Sequence, residues 1–350
     1  RNEFGRTQAG PNGRWMDVTL QVRAEPSLTD AQQAVPAGLL PTPLQLRAPP
    51  PEKVRPAPED DERSIEPNYE RPKGRLLMYW GCGPTVRAGQ PRVLDFSRMN
   101  PSELAGFFTT RSATRRGAHA QPGRPVWPNP TDARLLPAQS SAAGDHRFSG
   151  SGVPDGFGFT LPAANDLMPP LNLQQQEVGG STELRWSAAP NAKAYFASAM
   201  GGAGENEMVL WTSSELPETG FGLHDYQAPA SVDQWLREKV LLPASTSQCA
   251  IPKGVFPSGG AGFVRLTAFG PQLNLVYPPR PADRSMRWEP QWAVQVRVKS
   301  MDSGILGMPG MAREGRGTPE ANQAPPAGEA APAAPKLPGA VDLLRGILGR

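Results

Sequence analysis

Residues 181–214 constrain the fold of this chain more than any other stretch, because they divide into three short segments with strand character. The first alternates polar and apolar residues and ends in Trp186, as a half-buried strand does. The second begins near Tyr195 after a Pro-Asn turn, and the third spans 208–212 after a glycine-rich turn. Both aromatic side chains suit the space between two packed sheets. We therefore predict a mostly β protein with these strands at its centre.

The motifs in this region resemble a known fold family. Leu-x-Trp at 184–186, a Pro-Asn turn and Ala-x-Ala-Tyr at 192–195 are similar to the B and C strands of fibronectin type III or immunoglobulin-like domains. Residues 263–270 are similar to the F strand of that family, although Gly262 stands where the tyrosine of the tyrosine corner is usual. The resemblance implies a β-sandwich, and sandwiches of this kind host many functions.

A second resemblance concerns location. The run Arg-Pro-Lys-Gly-Arg-Leu-Leu-Met-Tyr-Trp-Gly-Cys-Gly at 71–83, with Tyr-Pro-Pro-Arg-Pro-Ala-Asp at 277–283 and Trp-x-Pro-x-Trp at 288–292, resembles an uncharacterised family of exported proteobacterial proteins. It implies a location in the periplasm, at the outer-membrane periphery or outside the cell. It implies no activity.

The composition narrows the possible classes of protein further. The chain has 37 glycines and 42 prolines in 350 residues, about twice the usual share, which indicates many turns and few long helices. The net charge of +3 is spread along the chain, so we expect no nucleic-acid partner. No apolar run is long enough to span a bilayer. Since the first residue is Arg1, we expect that a leader was removed or that the sequence begins inside the gene.

The first half of the chain is expected to be an N-terminal β region at 15–156, preceded by a flexible N-terminus at 1–14. Two segments interrupt it. A Pro-rich linker at 47–74 lacks large apolar side chains, so it cannot offset the entropy of ordering. An Arg-rich segment at 109–156 is predicted to be irregular.

The second half is expected to form the sandwich at 157–300, followed by a low-complexity tail at 301–350 that ends in a short amphipathic segment, 340–348. The strands at 15–22 and 75–96 either extend a sheet of the sandwich or form a small second one. Strands are predicted at 15–25, 75–80, 92–96, 157–161, 167–173, 247–251, 263–269 and 292–298. One helix is predicted to begin at Asn100, with Asn as the cap and Glu three residues on, and another at Ser231, which opens a capping-box pattern.

Cys82 and Cys249 are the only cysteines, and we predict that they form a disulfide bond, as two cysteines of an exported chain usually do. Two alternatives remain open. The thiols could be buried and unreacted, or Cys82, on a Gly-Cys-Gly turn after a strand, could be the nucleophile of a hydrolase. A nucleophile would need one of the three histidines, His119, His146 or His224, within hydrogen-bond distance.

Metal and cofactor sites are not expected. The three histidines and two cysteines are scattered singly, without the close spacings of zinc ligands. The glycine-rich turns at 150–156, 201–204 and 259–262 lack the Lys-Ser/Thr of a phosphate-binding loop. We interpret these turns as hairpin connections.

The eight tryptophans are the candidate ligand-binding residues. Trp186, Trp211, Trp235 and Trp292 occupy core-facing positions of their predicted elements. Trp80, Trp127 and Trp288 are less constrained and are the candidates for binding, since sugars stack on exposed aromatic faces. Core packing is the favoured interpretation of the set as a whole.

These observations predict a non-catalytic structural or binding protein of the envelope or exterior, with a protein or a surface polymer as partner. A carbohydrate-binding protein and a Cys82-dependent hydrolase are the alternatives. Residues 340–348 could also contact a partner or the membrane periphery, because Val341, Leu344 and Leu348 share one helical face.

Overall fold

A computed structural model describes residues 12–49, 74–98, 100–112, 121–204, 206–256 and 262–307 of the chain. Several predictions lie outside these residues: the flexible N-terminus up to residue 11, most of the Pro-rich linker, His119, and the tail from residue 308, including 340–348.

The described chain is mostly β, as predicted. Its strands are β1 (Gly13–Val22), β2 (Asp30–Ala34), β3 (Leu44–Arg47), β4 (Arg75–Trp80), β5 (Arg92–Asp95), β6 (Val126–Trp127), β7 (Gly144–Ser149), β8 (Gly158–Leu161), β9 (Gln174–Val178), β10 (Ser181–Arg185), β11 (Ala194–Gly204), β12 (Glu207–Thr212), β13 (Leu242–Pro243), β14 (Gln248–Ile251), β15 (Gly262–Tyr277) and β16 (Trp292–Leu306). The helices are α1 (Pro101–Phe107), α2 (Pro229–Arg237) and a 3-10 turn (Ala163–Asn165).

The strands form two sheets. The large sheet has the order β5-β4-β12-β11-β15-β16-β1-β6-β3-β2-β7-β8, with β13 beside β11, and the small sheet has the order β14-β10-β9. The pairing of β4 with β12 is parallel, and the other named pairings are antiparallel. Strands β1, β4 and β5 therefore extend the large sheet, which settles the alternative left open by the sequence.

The long strands β15 and β16 connect two hydrophobic cores. A register irregularity between Phe269 and Gln272 divides β15, so that its first half pairs with β11 and β16 and its second half pairs with β16. The second half of β15 lies beside one hydrophobic core. This core is shared by β16 and by the strands that follow it in the sheet order, β1, β6, β3, β2, β7 and β8, and it includes Val18, Leu46 and Phe148.

The second core lies between the large and small sheets and gives the protein its sandwich-like architecture. Leu184 of β10 faces Trp211 and Tyr195 of the large sheet, and the Trp186 and Tyr195 ring centroids are 5.5 Å apart. Both aromatic residues are buried, as predicted from the central motif. The family resemblance to fibronectin type III domains stays a prediction.

Two segments differ from their predicted structure. The segment 109–156 contains β6 and β7, which sequence alternation does not reveal because β6 is two residues between prolines and β7 buries the polar His146. Residues 167–173 form no strand, since Pro169 and Pro170 have no N–H to give to a neighbouring strand. The Leu173 N–H instead donates to the Asp302 carboxylate at 2.8 Å.

Two element ends also differ. Helix α2 begins at Pro229 after Ala228, without a side-chain cap, so the capping box expected at Ser231 does not form. Proline at the first turn supplies a helical φ and lacks only an N–H that has no intrahelical partner there. Strand β16 continues to Leu306, past the expected end of the sandwich at 300, and its last residues pair with the start of β15.

Candidate functional site

A group of charged side chains is buried on the face of the large sheet opposite the two cores. Trp15 and Asp17 alternate with the core residues of β1, and they lie directly opposite Lys299 and Arg297 of β16 in the strand register. The segment 220–227 covers them. We call Asp17, His224, Asp225, Tyr226, Arg297 and Lys299 the buried charge cluster.

The centre of the buried charge cluster is an ion pair between Asp17 and Arg297. The Arg297 Nε donates to Asp17 Oδ1 at 2.9 Å and Oδ2 at 3.0 Å, and Arg297 Nη2 also donates to Oδ2. Burial raises the pKa of Asp17, while Arg297 acts to lower it. Although burial disfavours its charge, the pKa of Arg297 is raised by the carboxylate of Asp17. Each buried charge thus has an opposite charge within hydrogen-bond distance, as buried ions require.

Tyr226 covers this ion pair with its ring. The Arg297 guanidinium carbon lies 4.6 Å from the ring centroid and Lys299 Nζ lies 4.8 Å from it, both within the range of cation–π contact. Burial raises the pKa of Tyr226 well above its ordinary value. A cavity of about 10 Å³ adjoins these side chains, roughly the room that one water molecule requires. It is too small for a substrate.

Lys299 fixes the covering segment to the sheet. Its side chain is 1% exposed, and its Nζ donates to the His224 carbonyl oxygen at 2.8 Å and lies 3.8 Å from Asp225 Oδ1. Burial lowers the pKa of Lys299 to about 8, against the raising influence of Asp225 and Asp17. Lys299 therefore has a structural role, and its protonation state changes at mildly alkaline pH.

His224 makes the arrangement that most resembles a catalytic one. Its Nε2 lies 2.7 Å from Ser198 Oγ, and its Nδ1 lies 2.8 Å from Thr267 Oγ1. A serine beside a histidine that a third group orients is the geometry of an activated nucleophile. Here the third group is a hydroxyl, which does not stabilise an imidazolium as a carboxylate does.

The electrostatics around His224 also oppose proton uptake. Burial lowers the pKa of His224 well below its ordinary value, and the positive charges of Arg265 and Lys299 lower it further. A general base must accept a proton during the reaction, so this histidine is poorly suited to that role. We interpret the hydrogen bonds as a link from β11 and β15 to the covering segment. The polar positions 198 and 267 within two apolar strands are the sequence signal for it.

Cys82 and Cys249 form a disulfide bond, which confirms the predicted pairing. Cys82 follows β4 of the large sheet and Cys249 belongs to β14 of the small sheet, so the bond joins the two layers of the sandwich. The Trp211 Nε1 donates to the Gly81 carbonyl oxygen at 3.0 Å and holds the Gly-Cys-Gly turn against the core. A bonded Cys82 has no thiolate, so the structure offers the proposed hydrolase no nucleophile at this residue.

The three candidate tryptophans are not brought together. Trp127 lies in the core around β1 and is 2% exposed, which corrects its assignment as a binding residue. Trp80 is partly buried beside Leu76 and its neighbours. Trp288 lies in the connection between β15 and β16, where its Nε1 donates to the Pro278 carbonyl oxygen at 3.0 Å and Arg280 stacks on its ring.

Trp288 has other aromatic residues near it along the chain at the end of the β15–β16 hairpin. Tyr277 is 49% exposed, and its ring stacks on Trp292 with centroids 5.5 Å apart. Trp292 in turn contacts Phe157, which belongs to the core. We call Tyr277, Trp288 and Trp292 the aromatic end. The exposure of Tyr277 was not predicted, because it continues the alternation of core-packed Leu273 and Leu275.

A second exposed feature lies at the opposite end of β15. Met200, Phe263 and Ile305 are directly opposite one another in the register of β11, β15 and β16, and they are 37%, 43% and 38% exposed. They lie on the sheet face that is opposite the sandwich core. We call these three residues the apolar row.

The described residues contain no group of three or more His, Cys, Asp or Glu side chains that could hold a metal ion. His146 is buried, with its Nδ1 2.9 Å from Gln33 Nε2 and its Nε2 2.7 Å from the Ala142 carbonyl oxygen. Among the described residues, no helix is both long enough and apolar enough to cross a membrane.

Comparison of the chain with protein-family models, with curated proteins and with solved structures finds no match.

Proposed function

We propose that this chain is a non-catalytic structural or binding protein of the cell envelope or the exterior, in which the two sheets serve as a scaffold. The observation that carries the proposal is the Cys82–Cys249 bond between the sheets. Disulfide bonds persist in oxidising compartments and are rare in reducing ones, which supports an exported protein. The same bond occupies the residue that the sequence marks as a candidate nucleophile.

The environment of the described histidines supports the non-catalytic part of the proposal. Burial lowers the pKa of His146 and of His224, and both rings are hydrogen-bonded on each nitrogen within the fold. Groups that are held in this way are suited to fixing a structure. A partner protein or a surface polymer would then bind to exposed side chains.

An esterase assay tests this proposal. We expect the native protein to hydrolyse p-nitrophenyl acetate no faster than the matched variants Ser198→Ala and His224→Gln. Circular dichroism of each variant checks that it is folded. A rate in the native protein that both substitutions abolish, with the fold intact, would overturn the non-catalytic assignment and identify Ser198 as a nucleophile.

Carbohydrate binding is the second candidate, and the aromatic end favours it. Tyr277 is 49% exposed, its ring stacks on Trp292, and Trp292 is itself packed against Phe157. An aromatic face held rigidly in this way suits the apolar face of a sugar ring at low entropic cost. Trp288 lies in the same hairpin end and adds a second aromatic ring.

A glycan array, followed by titration of tryptophan fluorescence with the strongest ligand, tests this candidate. Tyr277→Ala should weaken binding by about fivefold or more, the loss of roughly 1 kcal/mol. Leu135→Ala is the control, because Leu135 is the most exposed of the large apolar side chains described and lies outside the aromatic end. Equal affinity of all three proteins would exclude the aromatic end as the binding site.

A further inference from the structure

The apolar row is an unusual surface for a sheet. Neighbouring strands are about 5 Å apart, so three side chains in register form a continuous apolar strip of roughly 10 Å. Single exposed apolar residues need no explanation, whereas adjoining ones indicate a contact surface. The next residues on the same face of β11, β15 and β16 are Ser198, Arg265 and Ser303, and the Arg265 guanidinium carbon lies 5.3 Å from the Phe263 ring centroid, so polar side chains border the strip on this side.

The position of the row relative to the chain indicates what covers it. Ile305, a member of the row, is followed by Leu306 and then by Gly307, which has a φ of +79° and ends β16. The described part of the chain therefore ends beside the row, and 43 residues follow it in the sequence. A connection of 308–339 reaches on the order of 30 Å if it behaves as a random coil. That reach exceeds the dimensions of the row itself.

The sequence at the far end of this connection has the matching chemistry. Residues 340–348 contain Val341, Leu344 and Leu348 on one helical face, with Leu343 and Ile347 beside it. A helix of this length is marginal alone in water, so it needs a surface to fold against. Between 318 and 339, Leu337 is the only large apolar residue, so 340–348 is the one part of the chain beyond residue 317 in which several large apolar side chains lie close together in the sequence.

We propose that residues 340–348 bind to the apolar row of their own chain. A tether of this length gives the segment an effective concentration near the millimolar range at the row. A second copy of the chain or a free partner would have to exceed that concentration or bind more tightly. The row is therefore covered in cis until such a partner displaces the segment.

Met200 is a built-in reporter for this contact. Methionine is oxidised to its sulfoxide by hydrogen peroxide at a rate that follows its exposure. Met286, 58% exposed in the connection between β15 and β16, is an internal control that lies at the other end of β15. We expect a chain ending at Gly317 to oxidise Met200 at least about twice as fast as the full chain, with the Met286 rate unchanged.

Point variants in the full chain test the segment without deleting it. Leu344→Asp should reproduce the effect of truncation, whereas Asp342→Asn, on the opposite side of the helix, should leave Met200 protected. A synthetic peptide of residues 338–350 added to the truncated chain should restore protection. Equal Met200 rates in the full chain, the truncated chain and Leu344→Asp would overturn the proposal.

The other possible occupants give distinct results. Protection that increases with protein concentration would show that a second copy covers the row, and would contradict binding in cis. Protection that requires vesicles of phosphatidylglycerol and phosphatidylethanolamine would show that the segment binds a membrane instead. Both outcomes overturn the proposal, because binding in cis predicts concentration-independent protection without lipid.

Discussion

Asp17 and Arg297 are 280 positions apart in the sequence and form a two-oxygen ion pair across β1 and β16, beneath the ring of Tyr226. The pair joins the first described strand to the last. Since both side chains are buried, removing one leaves an uncompensated charge in the interior.

Asp17→Ala should therefore destabilise the protein by about 3–5 kcal/mol, measured by urea unfolding at neutral pH. The double variant Asp17→Leu with Arg297→Met is the control, because it removes both charges and keeps the apolar volume. We expect the double variant to be more stable than the single one. A single variant as stable as the native protein would mean that the pair is open to solvent.

Lys299 gives a prediction for alkaline pH. Its pKa is lowered by burial from 10.5 to about 8, so between these two values the unfolded chain binds more protons than the folded one. Stability from this group should rise as the pH increases from 8 towards 10.5, by an amount on the order of 3 kcal/mol.

The measurement for Lys299 compares the native protein with Lys299→Met across that pH window. The difference in unfolding free energy between the two proteins isolates the lysine from other titrating groups. As the pH rises, we expect the unfolding free energy of the native protein to increase relative to that of Lys299→Met. A constant difference would show that Lys299 has an ordinary pKa.

Substitution of Trp186 should strongly destabilise the sandwich core. It is buried against Tyr195 between the two sheets, so Trp186→Ala leaves a large cavity. We expect a loss of about 3–5 kcal/mol in denaturant unfolding. Trp80→Ala is the comparison, since Trp80 is only partly buried, and it should cost less. Similar small losses of stability in both variants would show that Trp186 is not a main packing residue of the sandwich core.

The sequence predicts which residues form strands and helices far better than it predicts which strands pair with each other. Alternation of polar and apolar residues locates β1, β10 and β16, and a continuous apolar run locates β4. The capping box at Asn100 forms as expected, with Asn100 Oδ1 accepting the Glu103 N–H at 2.8 Å. These signals are local. The register that sets Asp17 opposite Arg297 depends on how distant strands meet, which no local pattern contains.

The buried charge cluster was missed for a related reason. Lysine and arginine in an alternating strand predict a solvent-exposed face, and Arg297 and Lys299 occupy that face of β16. They are buried only because the segment 220–227 crosses over them, and that segment has no periodic pattern. The disulfide was predictable because the chain has just two cysteines.

Reduction of the disulfide should lower stability. The bond closes a loop between residues 167 positions apart, which corresponds to about 5 kcal/mol if it acts by restricting the unfolded chain. Urea unfolding with and without a phosphine reductant measures the loss. The double variant Cys82→Ala with Cys249→Ala should match the reduced protein and should not respond to the reductant. An unchanged midpoint on reduction would mean that the bond adds little to the scaffold.

Alkylation of the native protein followed by intact-mass measurement tests the central claim most directly. We expect unfolded but unreduced protein to take up no iodoacetamide, and the same protein after reduction to take up two labels, at Cys82 and Cys249. That result is the one a disulfide-linked, exported scaffold requires. Two labels without reductant would contradict it, since they would show free thiols, return Cys82 as a candidate nucleophile and remove the main support for an oxidising location.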